Sequence, residues 1–206
     1  MTFPDSKYPD IGTYWTDYSA RLQTAAASID MQRLAQAGEA LATAYRAGAS
    51  VYVCGNGGSA AISNHLVCDH MKGVQTDTRL LPRVYSLSSN LETITAIAND
   101  IGYEDVFLYQ LRSLSKPGDI LITISSSGDS ENVVRALDWA KANGIASIAM
   151  TGFNGGRTRA RADIALHVLG DNYGVIEDTH QSLMHVLAQY LRQAEMPEDV
   201  VKERKF

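Results

Sequence analysis

The chain has 206 residues, of which 45% are hydrophobic and 20% charged, enough for one domain with a substantial core. Its formal net charge of −5 argues against a dedicated nucleic-acid-binding protein, because such surfaces are normally basic. No apolar stretch approaches the roughly 20 residues that cross a bilayer, and no signal peptide is recognisable. We therefore expect a soluble, cytoplasmic protein that binds neither nucleic acid nor membrane. Cys54 and Cys68 cannot form a disulfide framework, so any metal needs histidine and carboxylate ligands.

Apolar residues three and four apart predict two helices between Gly12 and Ala47. Beyond Gly48, short apolar runs alternate with helical segments. The predicted strands are Ser50–Cys54, Val84–Leu87, Ile120–Ile124, Ser147–Met150 and Ile164–Val168. The predicted helices are Ala60–Met71, Leu91–Ala98, Val106–Leu114, Asn132–Ala142 and Asp178–Gln193. This alternation predicts an α/β fold with a parallel sheet covered on both faces.

The same patterns suggest a division of the chain into three parts. We predict N-terminal helices over residues 1–47, the α/β domain over 48–193 and a solvated, charged tail over 194–206. Arg157, Arg159 and Arg161 form a basic stretch that we interpret as a solvated loop, with phosphate capture as the alternative.

A glycine-rich loop, Cys54–Ser59, follows the first predicted strand and opens a helix. Its small residues, Gly57 and Gly58 among them, let backbone amides converge on an anion at the positive end of the helix dipole, which suits a phosphate. A tight turn without a ligand is the alternative. The second strand ends in serines where a dinucleotide-binding enzyme needs an acidic residue, and no Gly-Lys-Ser/Thr completes a Walker loop.

A second polar loop, Ser125–Ser130, lies between a buried strand and a helix. Its hydroxyls can donate hydrogen bonds to phosphate oxygens. The alternative is that Ser130 or Asp129 merely caps the helix, which accounts for one residue of the set.

Two candidate ligands, His65 and Asp69, are four residues apart and share one face of a helix. Such a pair suits a metal or a general base, with a solvated or core pair as the alternative. His185 lies on the polar side of the last helix, whereas His180 lies on its apolar side and is predicted to pack. Glu177 could simply be a negative charge that the dipole favours at the start of this helix. Spacing alone brings neither Glu177 nor His185 to His65.

Four motifs in this order resemble a known family. They are CGNGGS at 54–59, NDIGYEDVF at Asn99–Phe107, ISSSGDS at Ile124–Ser130 and TGFNGG at Thr151–Gly156. Residues 10–193 resemble a SIS (sugar isomerase) domain, and more closely the phosphoheptose isomerases. The resemblance implies a five-stranded parallel sheet sandwiched by helices, of the flavodoxin-like or Rossmann-like kind. It also implies N-terminal helices that help build a homotetramer, with active sites at subunit interfaces.

The resemblance also implies site residues. The sugar phosphate would contact Asn56, Gly57, Gly58, Ser59, Asp100, Ser125, Ser126, Ser127, Ser130 and Glu177. One zinc ion per subunit would be held by His65, Asp69, Glu177 and His185. Asp69 and His185 would also be the pair that transfers protons.

The chain departs from the family pattern at several of these positions. Asp69 stands where a Glu is usual, which withdraws the carboxylate by on the order of 1 Å, a displacement that can cost about 100-fold in rate. Glu177 stands for a neutral Gln and makes the ligand set formally dianionic. Gly73 and the pair Gly174–Val175 replace side chains that contact the sugar.

The predicted function is zinc-assisted aldose–ketose isomerisation through an enediol. The leading substrate is sedoheptulose 7-phosphate, converted to D-glycero-D-manno-heptose 7-phosphate. One alternative is an isomerase of another sugar phosphate in a specialised glycan or natural-product pathway. A second is a non-catalytic SIS-domain binding or regulatory protein, related to the factor that associates with the replication initiator.

Overall fold

A five-stranded parallel sheet forms the centre of the molecule in the computed structural model, which describes residues 2–206. The strands are β1 (Ser50–Gly55), β2 (Arg83–Ser86), β3 (Ile120–Ser125), β4 (Ala146–Thr151) and β5 (Ile164–His167). Their order across the sheet is β2-β1-β3-β4-β5, and every neighbouring pair is parallel. All residues of the central strand β3 are buried, which explains its continuous apolar sequence.

Helices cover both faces of the sheet. They are α1 (Ile11–Ala27), α2 (Met31–Arg46), α3 (Gly58–Cys68), α4 (Leu91–Asp100), α5 (Val106–Leu114), α6 (Glu131–Ala142), α7 (Gly156–Arg161), α8 (Tyr173–Glu195) and α9 (Glu198–Val201). A π-helix (Asp69–Val74) continues α3, and a 3₁₀ turn (Tyr103–Asp105) precedes α5. Asp10 and Asp30 cap α1 and α2 with side-chain hydrogen bonds to first-turn amides. Within residues 2–206, none of these helices is both long and apolar enough to span a bilayer.

Alternate residues of the strands contribute side chains to two separate hydrophobic cores, one on each face of the sheet. Val53 and Ile122 face the core that includes buried residues of α2, α3 and α8, whereas Tyr52 and Leu121 face the one formed with α5 and α6. Helix α1 packs along α8. The structure thus confirms the predicted α/β class, the parallel sheet and the helical N-terminal extension.

Three local predictions need correction. The helix predicted over Ala60–Met71 ends at Cys68 and widens into the π-helix. The last helix begins at Tyr173 rather than Asp178, because the Asn172 side chain accepts a hydrogen bond from the Val175 amide and caps it there. The basic stretch forms α7 instead of a loop, and its Arg157 is engaged in ion pairs.

The C-terminal tail, predicted to be solvated, is exposed over most of its length, and its last residues contact the domain. The Arg192 guanidinium on α8 is only 8% exposed and donates a hydrogen bond to the Lys205 carbonyl. It also lies 4.9 Å from the ring centre of Phe206, while Arg204 bonds to Asp77. A nearly buried guanidinium needs acceptors for its donors, and the tail supplies one of them.

Candidate active site

Three potential ligands meet where the end of α3 lies against the middle of α8. His65 Nε2 is 3.3 Å from Asp69 Oδ1, and His185 Nε2 is 3.5 Å from Asp69 Oδ2. One ligand atom from each residue lies within 4.8 Å of those of the other two. Asp69 is the first residue of the π-helix, a geometry that often occurs at functional sites. The packing of α8 on α3 thus brings His185 to the pair.

This arrangement fits a zinc ion. Imidazole nitrogens and a carboxylate oxygen are ordinary zinc ligands, and bonds of roughly 2.0–2.2 Å in a tetrahedron place neighbouring donors about 3.3–3.6 Å apart. The two separations at Asp69 fall in this range, one measured to Oδ1 and the other to Oδ2 of the same carboxylate. The side chains of His65 and His185 are 48% and 38% exposed, so solvent or a substrate can reach them.

Glu177, the fourth predicted ligand, lies outside this group of three among residues 2–206. Its carboxylate lies at the start of α3, where a β-carbon on Gly58 would be only 2.3 Å from Glu177 Oε2. Glu177 and His185 are far apart along α8, because the eight residues from one to the other span about 12 Å of helix. Burial, and to a smaller degree the neighbouring Asp178, raise the pKa of the Glu177 carboxyl group.

Gln181 is the residue that the sequence analysis missed at this site. The atom Nε2 of its amide lies 2.9 Å from His65 Nδ1 and 3.2 Å from His185 Nε2. The available signal was its spacing, since Gln181 and His185 are four residues apart and therefore share one face of α8.

The serine-rich loop after β3 presents unused donors at the start of α6. Ser130 occupies the N-cap position, but its side chain makes no capping hydrogen bond, so simple capping does not explain it. The Ser126 hydroxyl is buried and has no hydrogen-bond partner among residues 2–206. Ser125 and Ser127 instead accept hydrogen bonds from the Gly128 and Asp129 amides and shape the loop.

The glycine-rich loop after β1 lies beside this serine loop, since β1 and β3 are neighbouring strands. Asn56 and Asn132 exchange two hydrogen bonds, of 2.9 and 3.0 Å, and so tie the two loops together. Gly57 caps α3 at a φ of 55°, a conformation that favours glycine, and no side chain caps this helix. The side chain of Ser59 is buried in the first turn. Two uncapped helix N-termini thus share the carboxyl edge of the sheet, where parallel sheets bind ligands.

Comparisons with known proteins agree with this geometry. Residues 14–152 match the family model of the SIS domain. The phosphoheptose isomerase of Mycobacterium tuberculosis is 37% identical over 76% of this chain and 80% of its own length. The probable phosphoheptose isomerase of Thermoplasma volcanium is 34% identical over 85% of this chain and 89% of its own. This chain belongs to the phosphoheptose isomerase family of SIS-domain proteins. A phosphoheptose isomerase structure from Francisella tularensis has a TM-score of 0.82 at 31% identity, covering 89% of this chain and 96% of that one.

Membership of the phosphoheptose isomerase family confirms the prediction of an aldose–ketose isomerase. Gly73 and Gly174 are two positions at which this chain departs from the family pattern. At Gly73 a β-carbon would meet nothing within 4 Å, so the space next to the backbone there is open. At Gly174 a β-carbon would lie 2.9 Å from the Tyr18 hydroxyl, which donates a 2.6 Å hydrogen bond to Asp178. The Tyr18 phenol on α1 thus fills the space beside Gly174.

A cavity of about 430 Å³ opens beside His65, Asp69 and His185. Its lining comprises His65, Asp69, Lys72, Gly73, His185, Ala188, Gln189, Arg192, Lys205 and Phe206. The docked tail is therefore one wall of the cavity. Apart from Asp69 the charged lining side chains are cationic, which favours an anionic ligand.

Asp100, which was predicted to contact the sugar phosphate, does not reach the site within a single chain. Asp100 ends α4 and is exposed, and its carboxylate accepts a hydrogen bond from Asn99. Within residues 2–206, no hydrogen bond or ion pair joins Asp100 to the two loops or to the three ligands.

Arg157 neutralises two carboxylates that flank the serine loop. Its guanidinium pairs with Asp129 and, at 2.8 Å, with Glu131. Hydrogen bonds from Arg157 lower the pKa of both carboxyl groups, with Arg135 assisting at Glu131. Anionic side chains beside a phosphate would otherwise repel it. Phosphate capture by this basic stretch, the alternative to a solvated loop, stays a prediction.

Proposed function

We propose that this chain isomerises a phosphorylated sugar, with sedoheptulose 7-phosphate as the leading substrate and D-glycero-D-manno-heptose 7-phosphate as the product. The observation that carries the proposal is the pairing of an uncapped serine loop with a histidine–aspartate–histidine group in one α/β domain. The relatives of this chain are phosphoheptose isomerases, which supports the same substrate class.

The serine and glycine loops would hold the phosphate. The free hydroxyls of Ser126 and Ser130, together with the first two amides of α6, are donors without protein partners among residues 2–206 that could take up its oxygens. Asn56 would keep the two loops in register through its paired amide hydrogen bonds. Because these groups bind substrate and transition state alike, they would act mainly on substrate affinity.

Asp69 and His185 would carry out the proton transfers. Asp69 would remove the proton from C1 of the open-chain ketose and return it to C2. His185 would protonate the C2 oxygen and remove the proton from the C1 oxygen, which passes the reaction through an enediol and leaves an aldose.

We further propose that zinc binds at His65, Asp69 and His185. When bound, zinc supplies Lewis-acid polarisation of the substrate oxygens. The three residues would hold it with two neutral nitrogens and one carboxylate, which leaves a position open at the exposed side of the group. Glu177, at the start of α3, would instead face the substrate from the phosphate side.

Assembly into a homotetramer is part of the proposal. Apolar side chains remain exposed on α1, α2 and α8, including Trp15, Met31 and Tyr190. An apolar groove of about 540 Å³ runs between α2 and α8. Exposed apolar surface of this kind is typical of a contact between subunits. Light scattering coupled to size-exclusion chromatography would test the tetramer directly.

A different sugar phosphate is the second candidate. The open space at Gly73 and the phenol of Tyr18 beside Gly174 change the walls that would surround the sugar. Both changes lie away from the phosphate loops, so they would alter the choice of sugar while the phosphate site is kept.

The test is to incubate the purified chain with zinc and sedoheptulose 7-phosphate and to follow the product by NMR. We expect an aldose 7-phosphate, and a His185→Ala variant should form none. A panel of other ketose phosphates, assayed in parallel, would identify a different substrate. Absence of an aldose from every member of the panel, with zinc bound, would refute the proposed isomerase activity.

A further inference from the structure

The amide of Gln181 lies between the two imidazoles of the candidate metal site. It approaches His65 from the side of Nδ1, at 2.9 Å, while the other nitrogen of that ring, Nε2, faces Asp69 at 3.3 Å. Gln181 is half-buried. The two ring nitrogens of His65 therefore have different partners, one on α8 and one on the π-helix.

The position of Gln181 follows from the way α8 lies along α3. Glu177, Gln181 and His185 are spaced four residues apart and form one stripe on α8. Glu177 meets Gly58 at the start of α3, and His185 meets Asp69 just beyond its end. Gln181 is the middle member of the stripe, and it meets His65.

The chemistry of a bound imidazole gives this contact a purpose. A neutral imidazole has one N–H, and the nitrogen that binds a metal must present its lone pair. If His65 binds through Nε2, which faces Asp69, then Nδ1 carries the proton and needs an acceptor. The two ends of an amide have nearly the same shape. Turning the Gln181 amide by 180° therefore places its carbonyl oxygen within reach of that N–H. The same position lies 3.2 Å from His185 Nε2, so the amide must move away from that nitrogen when its lone pair binds the metal.

We infer that Gln181 is a positioning residue, which holds His65 with Nε2 turned toward Asp69 and so prepares the metal site. The inference rests on the zinc site of the proposed function. Partners of this kind, outside the ligands themselves, typically contribute 10- to 100-fold to metal affinity. Glu177 cannot serve in this way because it is held one turn away, against Gly58.

The experiment measures zinc affinity by competition with a chelator in four proteins: the unmodified chain, Gln181→Leu, Gln181→Glu and Gln189→Leu. Gln189→Leu is the matched control, because Gln189 lies on the same helix and, among residues 2–206, makes no hydrogen bond to His65 of the kind that Gln181 makes. We expect Gln181→Leu to weaken zinc binding roughly 10- to 100-fold. Gln181→Glu, which keeps an acceptor for the Nδ1 proton, should retain most of the affinity, and Gln189→Leu should retain all of it.

Thermal unfolding of the metal-free proteins separates positioning from folding. Gln181→Leu should unfold within a degree or two of the unmodified chain, since the side chain is only half-buried. Equal zinc affinity in Gln181→Leu and the unmodified chain would overturn the inference, as would a Gln181→Glu variant as weak as Gln181→Leu. The proposed function fails separately, if His65→Ala leaves the zinc affinity of the unmodified chain unchanged.

Discussion

The carboxylate of Glu177 lies flat against Gly58, so that a single added β-carbon would be 2.3 Å from Glu177 Oε2 and 2.9 Å from Oε1. This contact holds an acidic group at the N-terminus of α3, where the helix dipole favours negative charge. Among residues 2–206, the group formed by His65, Asp69 and His185 does not include this carboxylate.

The first prediction follows from that separation. Glu177→Gln should leave zinc affinity within about threefold of the unmodified chain, because removing a charge outside the ligand group changes only a distant, partly screened interaction. His65→Ala should abolish stoichiometric zinc binding. Metal analysis after dialysis, followed by chelator competition, measures both. A loss of zinc from Glu177→Gln as large as that from His65→Ala would restore Glu177 to the ligand set.

How much of this site the sequence could predict depends on how local each relationship is. His65 and Asp69 were paired by helical spacing alone, and the two loops were predicted as ligand loops from their place after buried strands. His185 required the packing of one helix on another, which only the family resemblance supplied. For Glu177 the resemblance gave the aligned position but not the side chain's surroundings.

The rest could not be predicted because it depends on tertiary contacts of this particular chain. Tyr18 fills the space beside Gly174 only because α1 packs along α8. The tail is ordered by Arg192, whose near burial is a consequence of packing that composition does not indicate. Both cases concern side chains far apart in sequence, whereas strand and helix periodicity are local.

The second prediction concerns Asp69 as the proton-transferring carboxylate. Asp69→Asn should lower kcat by about 100-fold or more, since an amide cannot accept the C1 proton and general acid–base groups typically contribute that much. Zinc affinity should fall as well, because an anionic donor is lost from the group. Steady-state kinetics at saturating zinc separates the two effects. Asp138→Asn, which removes only a surface ion pair with Arg161, is the control and should retain full activity.

The third prediction assigns the phosphate to the serine loop. Ser126→Ala and Ser130→Ala should each raise KM roughly 10-fold or more with little change in kcat, because each removes a hydrogen bond to a charged group that binds substrate and transition state alike. Ser113→Ala is the control, since that exposed hydroxyl bonds only to the Tyr109 carbonyl in its own helix. A fall in kcat without a rise in KM in the first two variants would move the phosphate away from this loop.

The fourth prediction concerns the dependence of stability on pH, through the buried His180. Its side chain is fully buried on α8, as its apolar helix face predicted, and burial lowers its pKa from 6.5 to about 4. The unfolded chain therefore binds a proton at a higher pH than the folded chain does. Stability from this residue is present above about pH 6.5 and is lost as the pH falls toward 4, by about 1.4 kcal/mol per pH unit at most.

Urea unfolding of the metal-free chain at several pH values between 7 and 4 measures this loss. The unfolding free energy should depend less steeply on pH in His180→Leu, because leucine does not titrate at this position. The decrease in slope should correspond to at most one bound proton. Met184→Leu, a substitution at a buried neighbour on the same helix, should keep the slope of the unmodified chain. An unchanged slope in His180→Leu would show that the histidine titrates alike in the folded and unfolded chains, contrary to its burial against the sheet.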